Sequence, residues 1–284
     1  MASTNELAAT LKRLHQPSAP IVLPNIWDLA SLRALVSLND ADPEGRPVKA
    51  VATASWAIAE ASGIRDEDLT WEQNRDAIAL LAPHVRAAGL PLTVDLQDGY
   101  GERIEEVVAE AVRLGASGAN IEDSIPSAGF GKGVEGSLYG LEEQMDRLRR
   151  ALAAARDAGC PDFVLNARSD VFRLDAPVPP GDDEATIAEA VKRGRAYLEL
   201  GATTIFVWGG SGRGLRTSEV QTLARELGGR VAVKLGDGPE ALTTAELATI
   251  GVARISVGPS LYLKAMAAVR EAAARILSGG RLAA

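Results

Sequence analysis

Eight short apolar runs recur along the 284 residues, at 21–25, 48–53, 90–94, 118–122, 163–168, 204–208, 231–235 and 253–257, and a stretch with helical spacing follows each. A regular strand–helix alternation with no composition break implies a parallel sheet, and eight units in a chain of this length imply a (β/α)8 TIM-type barrel. We therefore expect one α/β barrel domain over residues 1–284. A helix at 4–16 precedes it, with Leu7, Leu11 and Leu14 on one face, and a helix at 260–277 closes it. An open doubly wound sheet is the alternative, but no Gly-x-Gly-x-x-Gly follows the first run. Thr70 with Gln73 forms a capping box for the helix beginning there, and Pro83 should kink that helix. A Pro-rich stretch at 175–181 precedes the helix at 183–200.

In such a barrel every strand ends at one mouth, so residues just past the apolar runs converge. Three runs end in charge: Asp95 with Asp98, Glu122 with Asp123, and Arg168 with Asp170. Thr53 ends a fourth run, and Ala54, Ser55 and Trp56 follow it. Gly99 and Gly101 beside Asp98 allow close backbone approach to a ligand. Asp95, Glu122 and Asp66 offer only hard oxygens, a set suited to Mg²⁺ or Mn²⁺ held through few protein contacts and several waters. Arg168 carries a fork matching a carboxylate or phosphonate. The amides after strand two, at Ala54 and Ser55, are placed to face a developing oxyanion. Together these parts predict a site for a small dianionic substrate that passes through an enolate.

Simpler roles compete with these. Asp123 and Asp170 read as helix caps or loop anchors, Trp56 and Tyr100 as plugs of the mouth before ligand contacts, and pairing with a barrel acid is the alternative for Arg168. The long loop at 124–140 reads as a gate.

Composition removes other classes. A net charge of −8 disfavours a nucleic-acid or anionic-membrane surface. Two histidines, His15 and His84, disfavour a Ser-His-Asp triad or a histidine-rich zinc site, and a single cysteine, Cys160, excludes an intrachain disulfide and reads as a structural thiol. With no apolar signal core and no membrane-length apolar run, the expected location is the cytoplasm.

The same residues resemble a family. Thr53-Ala54-Ser55, Gly63-Ile64-Arg65-Asp66, Val94-Asp95 with Gly99-Tyr100-Gly101, Asn120-Ile121-Glu122-Asp123-Ser124 and Asn166-Ala167-Arg168-Ser169-Asp170 are similar, in order and spacing, to the isocitrate lyase/phosphoenolpyruvate mutase superfamily. The resemblance runs from Leu23-Pro24-Asn25 to Arg254-Ile255-Ser256-Val257-Gly258. It implies a Mg²⁺-dependent barrel enzyme acting on small α-oxo or α-hydroxy acids through a pyruvate-type enolate, and the first reading within it is a lyase or decarboxylase that cleaves a C–C bond in such a (di)acid. It also implies a homotetramer in which the C-terminal helix packs on a neighbouring subunit. By position, Asp95 resembles the direct metal ligand, Glu122 and Asp66 the acids that hold metal-bound water, and Arg168 the carboxylate clamp beside Asn166. Ala54 and Ser55 stand at the oxyanion site, and the loop at 124–140 resembles the gating loop.

Two departures narrow the activity. Gln97 stands in the metal set where the family usually has an acid. The loop lacks the Cys and His of the isocitrate and methylisocitrate lyases, which argues against those two activities, and leaves Lys132 or Tyr139 as the proton-transfer group. The alternatives are P–C chemistry on a phosphonopyruvate-like substrate and a non-catalytic keto-acid-binding protein. A phosphosugar barrel is a further alternative, using glycines at Gly236-Asp237-Gly238 and Gly258-Pro259-Ser260.

Overall fold

A computed structural model describes residues 2–175, 183–210 and 214–282, so most of the Pro-rich stretch lies outside the described residues. Nine parallel strands form one sheet in the order β1-β9-β8-β7-β6-β5-β4-β3-β2. They are β1 (Ile21–Leu23), β2 (Asn25–Ile26), β3 (Val51–Thr53), β4 (Leu92–Asp95), β5 (Gly118–Glu122), β6 (Val164–Ser169), β7 (Thr204–Val207), β8 (Val231–Lys234) and β9 (Arg254–Ser256). The first predicted strand is split at Pro24: its first half pairs with β9 and its second with β3, so the two halves bring the ring to closure. Proline lacks the N–H that a continuous ladder needs. The expected eight-unit TIM-type barrel is thus present, with its opening strand in two pieces.

The helices are α1 (Thr4–Leu14), α2 (Leu29–Ala41), α3 (Ser55–Ala61), α4 (Trp71–Ala87), α5 (Ile104–Leu114), α6 (Gly133–Ser137), α7 (Leu141–Asp157), α8 (Asp183–Glu199), α9 (Thr217–Glu226), α10 (Thr244–Ile250) and α11 (Ser260–Leu277). In α5 the buried side chains are Ile104, Val107, Val108, Ala111 and Val112, one stripe at helical spacing, and Gly115 ends the helix at φ 119°. In α4 the Thr70–Gln73 capping box forms as expected, and the helix continues through Pro83. No described helix is long and apolar enough to cross a membrane.

The second run begins later than its apolar pattern suggests. The Asn39 side chain accepts from the Val48 N–H at 2.9 Å and donates to the Val48 carbonyl at 2.8 Å, so that backbone is taken before a strand partner can use it. Two helices were not expected. The small residues of α3 leave no apolar stripe to read, and α6 is a five-residue turn of helix inside the 124–140 loop.

The barrel interior is apolar at its base and polar above. Leu11 from α1 packs with Ile21, Leu23, Ala50, Ala52 and Val164, so α1 plugs the N-terminal end of the barrel. Burial and the nearby Arg254 charge push His15, at the C-cap of α1, down to about 3, which keeps it neutral. Higher up, a hydrogen-bonded layer crosses four strands. The Asn166 amide donates to Asn120 Oδ1 at 2.7 Å, Arg254 Nη2 donates to the same oxygen at 2.9 Å, and Thr204 donates to Asn166 Oδ1 at 2.6 Å. Cys160 is buried, and that burial pushes its thiol up to about 11, in keeping with a structural role.

Candidate active site

Above the Asn120–Asn166 layer, the ends of β3, β4, β5 and β6 supply the site. Thr53 Oγ1 accepts the Asp95 N–H at 2.9 Å and so fixes the tip of β4. The Asp95 carboxylate accepts from the N–H and the hydroxyl of Ser55, both at 3.3 Å, which commits that amide to Asp95. On the adjoining strands Glu122 and Arg168 are register partners, and Arg168 Nη1 lies 2.8 Å from Glu122 Oε2. Ser124 donates to the other Glu122 oxygen at 2.7 Å. Arg168 Nε donates to Asp170 at 2.8 Å, while its Nη2 is buried without a partner among the described residues. A buried guanidinium with an unspent N–H is suited to an anion that enters the mouth.

Crowding of carboxylates under low solvation shapes the electrostatics. Burial pushes the Glu122 carboxyl up to about 8, against the pull of Arg168, with Asp170 and Asp95 adding to the rise. Asp95 is also raised, first by burial and then by Asp66, while Arg168 opposes the shift. One layer down, burial lowers the fully buried Arg254 to about 9, with Asp95 holding it up.

Glu122 gives a pH test. Its folded-state value lies above the ordinary 4.5, so its contribution to stability is complete below about pH 4.5 and is lost as pH rises through about 8. Glu122→Gln should be close to the wild type in stability at pH 5 and more stable than it at pH 9. Thermal unfolding in chelator at both pH values measures this; a difference independent of pH would contradict it.

The remaining sequence-predicted residues divide between the mouth and its supports. Gln97 has φ 52° and donates through Nε2 to the Asp66 carbonyl at 2.7 Å and to the Asp66 carboxylate at 3.2 Å. It therefore ties the half-buried Asp66 to the tip of β4 without adding a charge. Asp98 does not substitute for the missing acid: the N–H groups of Tyr100 and Gly101 and the Tyr139 hydroxyl all donate to its carboxylate. Gly99 sits at φ 89°, and a Cβ there would meet Ile104 at 2.7 Å.

Tyr100 accepts from Asn74 at 2.9 Å and packs against Trp71. Trp56 packs edge-on to Tyr262, which Trp27 also meets. Both aromatics thus have packing partners within the chain. Asn166 lies a layer below the mouth. Tyr139 donates to Asp98 at 2.7 Å beneath the Arg147 guanidinium, and burial raises its phenol above the ordinary value. Lys132 is exposed on the loop, its backbone N–H bonded to Ser137 Oγ at 3.1 Å.

The structure adds Phe206 and Trp208, whose rings lie 5.9 and 4.9 Å from the Arg168 guanidinium. Their alternation at the end of an apolar run was a signal for mouth-facing aromatics. At the phosphosugar position, Lys234 donates to the Asp237 carboxylate at 2.6 Å, so an acid of the chain already neutralises that cation.

A divalent ion is compatible with this donor set in one form. Among the described residues no cluster of three His, Cys, Asp or Glu could hold a metal. The acids present suit an ion carried on one carboxylate, Asp95, with water filling the other positions.

The phosphoenolpyruvate phosphomutase family model matches residues 11–277. A solved structure from Burkholderia cenocepacia J2315, provisionally described as a phosphonomutase, is 36% identical and covers 98% of this chain and 100% of that chain at a TM-score of 0.79. An uncharacterized protein of Mycobacterium tuberculosis strain H37Rv is 28% identical over 274 residues, covering 95% of this chain and 89% of that protein. An oxaloacetate decarboxylase of Rhodopseudomonas palustris strain CGA009 is 26% identical over 250 residues, covering 86% of this chain and 81% of that protein. With its barrel and nearly its whole length matched, the chain belongs to the phosphoenolpyruvate phosphomutase family, within the isocitrate lyase/phosphoenolpyruvate mutase superfamily of lyases and mutases.

Proposed function

We propose that this protein is a Mg²⁺-dependent lyase or decarboxylase that breaks a C–C bond in a small α-oxo or α-hydroxy diacid and leaves a pyruvate-type enolate. The observation that carries the reading is the convergence of Asp95, Glu122 and Arg168 at one barrel mouth, with a buried N–H of Arg168 unspent. Arg168 binds a substrate carboxylate through that N–H, and Glu122 and Asp170 fix the angle of its fork. Asp95, with Glu122 and Asp66 beyond it, would hold a divalent ion, which would supply positive charge to a developing enolate oxygen. Burial pushes the Glu122 carboxyl up, and a divalent ion on Asp95 would draw it back toward its charged form. Trp208 and Phe206 shield the Arg168 side of the mouth from water.

The oxaloacetate decarboxylase relative supports an oxo-diacid substrate. A second reading, P–C chemistry on a phosphonopyruvate-like substrate, is favoured by the matched family model and the Burkholderia structure. Incubating the purified protein and Mg²⁺ with a panel of oxo- and hydroxy-diacids and with phosphonopyruvate separates them. The first reading expects pyruvate-type product from a diacid and no change in the ³¹P spectrum. A new ³¹P species with inert diacids would establish the second, and tight binding without turnover of any compound would mark a keto-acid-binding protein.

A homo-oligomer belongs to the same reading. Leu263, Met266, Val269 and Ile276 are exposed along α11, and Ser260 is the helix's one buried residue. Covering this apolar face with a second copy, in a tetramer, would remove it from water.

A further inference from the structure

Just past β6 a single 3-10 turn, Val171–Arg173, carries a second guanidinium, which shares Trp208 with Arg168. The Arg173 N–H donates to the Asp170 carbonyl at 2.8 Å, and the Asp170 carboxylate accepts from Arg168, so one residue positions both cations. The Arg173 guanidinium carbon lies 3.9 Å from the centre of the Phe130 ring, on the 124–140 loop, and 4.8 Å from that of Trp208. The Arg168 guanidinium lies 4.9 Å from the same Trp208 centre, so the two carbons are at most about 10 Å apart.

Their charge balance differs. Arg168 is in contact with both Glu122 and Asp170. Arg173 is half-buried between aromatic faces and, among the described residues, has no carboxylate partner and donates no side-chain hydrogen bond. Aromatic faces hold a guanidinium flat through its π face and leave its edge N–H groups available. Two cations this close to each other favour an anion in reach of both.

We propose that Arg173 forms a second anion subsite, which recognises the remote carboxylate of a four-carbon diacid whose first carboxylate is held at Arg168. A four-carbon diacid, with three C–C bonds of about 1.5 Å and a hydrogen bond of about 2.9 Å at each end, is long enough to reach both guanidinium groups within that limit. Because Phe130 stacks on Arg173 and its carbonyl accepts the Asp175 N–H at 3.1 Å, the subsite is also tied to the 124–140 loop. The inference rests on the enolate-site reading and adds the length and second charge of the substrate.

Malate and 2-hydroxybutyrate differ at the remote end, carboxylate against methyl, and serve as the probes in calorimetric titrations of the full chain with Mg²⁺. The wild type should prefer malate. Arg173→Met should weaken malate binding roughly 10- to 100-fold and leave 2-hydroxybutyrate unchanged, and Arg173→Lys should recover part of the loss. Equal loss of both acids in a folded Arg173→Met protein would make Arg173 a loop latch and overturn the subsite. Unchanged malate binding would overturn it too, while the enolate-site reading stood. A wild type that binds neither acid, with Arg168→Met indistinguishable from it, contradicts the enolate-site reading and the subsite with it.

Discussion

Asp95→Ala is expected to lower kcat/KM at least about 1,000-fold, the effect of losing several kcal/mol of charge stabilisation in the transition state. Asp95 is the acid whose surroundings are built to present it. Its N–H is held by Thr53, its carbonyl accepts from Asn74 at 2.9 Å, and its carboxylate is steadied by Ser55. These backbone contacts survive the substitution, so the variant should fold. Removing the side chain also relieves a carboxyl that burial already destabilises in its charged form. Circular dichroism in chelator checks that the variant keeps its fold alongside the loss of turnover. Asp95→Asn, isosteric but uncharged, separates the missing charge from the missing shape. Turnover in Asp95→Ala with unchanged Mg²⁺ dependence would show that the ion, and the enolate, are held elsewhere.

Arg193→Met is expected to cost about 3–5 kcal/mol of folding free energy, measured by urea unfolding. Arg193 and Asp123 are both essentially excluded from water, with Nη1 3.0 Å from Oδ2. Tyr197 donates to the same carboxylate oxygen at 3.2 Å, and Asp123 Oδ1 accepts the Asp170 N–H at 2.9 Å. Removing the cation leaves a carboxylate in the interior that burial already raises above its ordinary value. The strain falls on functional neighbours, because Asp123 follows Glu122 and Asp170 orients Arg168. Asp123→Asn in the same chain should restore part of the stability, since it removes the unpaired charge. A loss below about 1 kcal/mol would mean water reaches the pair.

The barrel was legible because its strands carry a simple signal. Apolar runs with charge at the tip place Asp95, Glu122 and Arg168 at one end once the alternation implies a barrel, and the run at 118–122 coincides with β5. What escaped depends on groups distant in the chain. Nothing local says that Asn39 will take the Val48 backbone, or that Arg193 will meet Asp123 across 70 positions. The resemblance points to Asp95 before Asp98, and the structure gives a reason: the Asp98 carboxylate is spent on the N–H groups of its own turn and on Tyr139. Place in the loop points to Lys132 or Tyr139 as the proton-transfer group, and the Tyr139 hydroxyl donates to Asp98. Arg173 carried no signal, because a guanidinium between two rings is set by Phe130 and Trp208, from separate loops.

Gln97 bears most directly on the proposed metal site. It replaces a charge with two hydrogen bonds to Asp66, which keeps the turn in place while lowering the negative charge around Asp95. Calorimetric titration with oxalate, a planar dianion that resembles a pyruvate enolate, tests the site as a whole. The account predicts strong binding with Mg²⁺ present and little without it. Binding that is absent, or indifferent to Mg²⁺, would contradict a metal-supported enolate site.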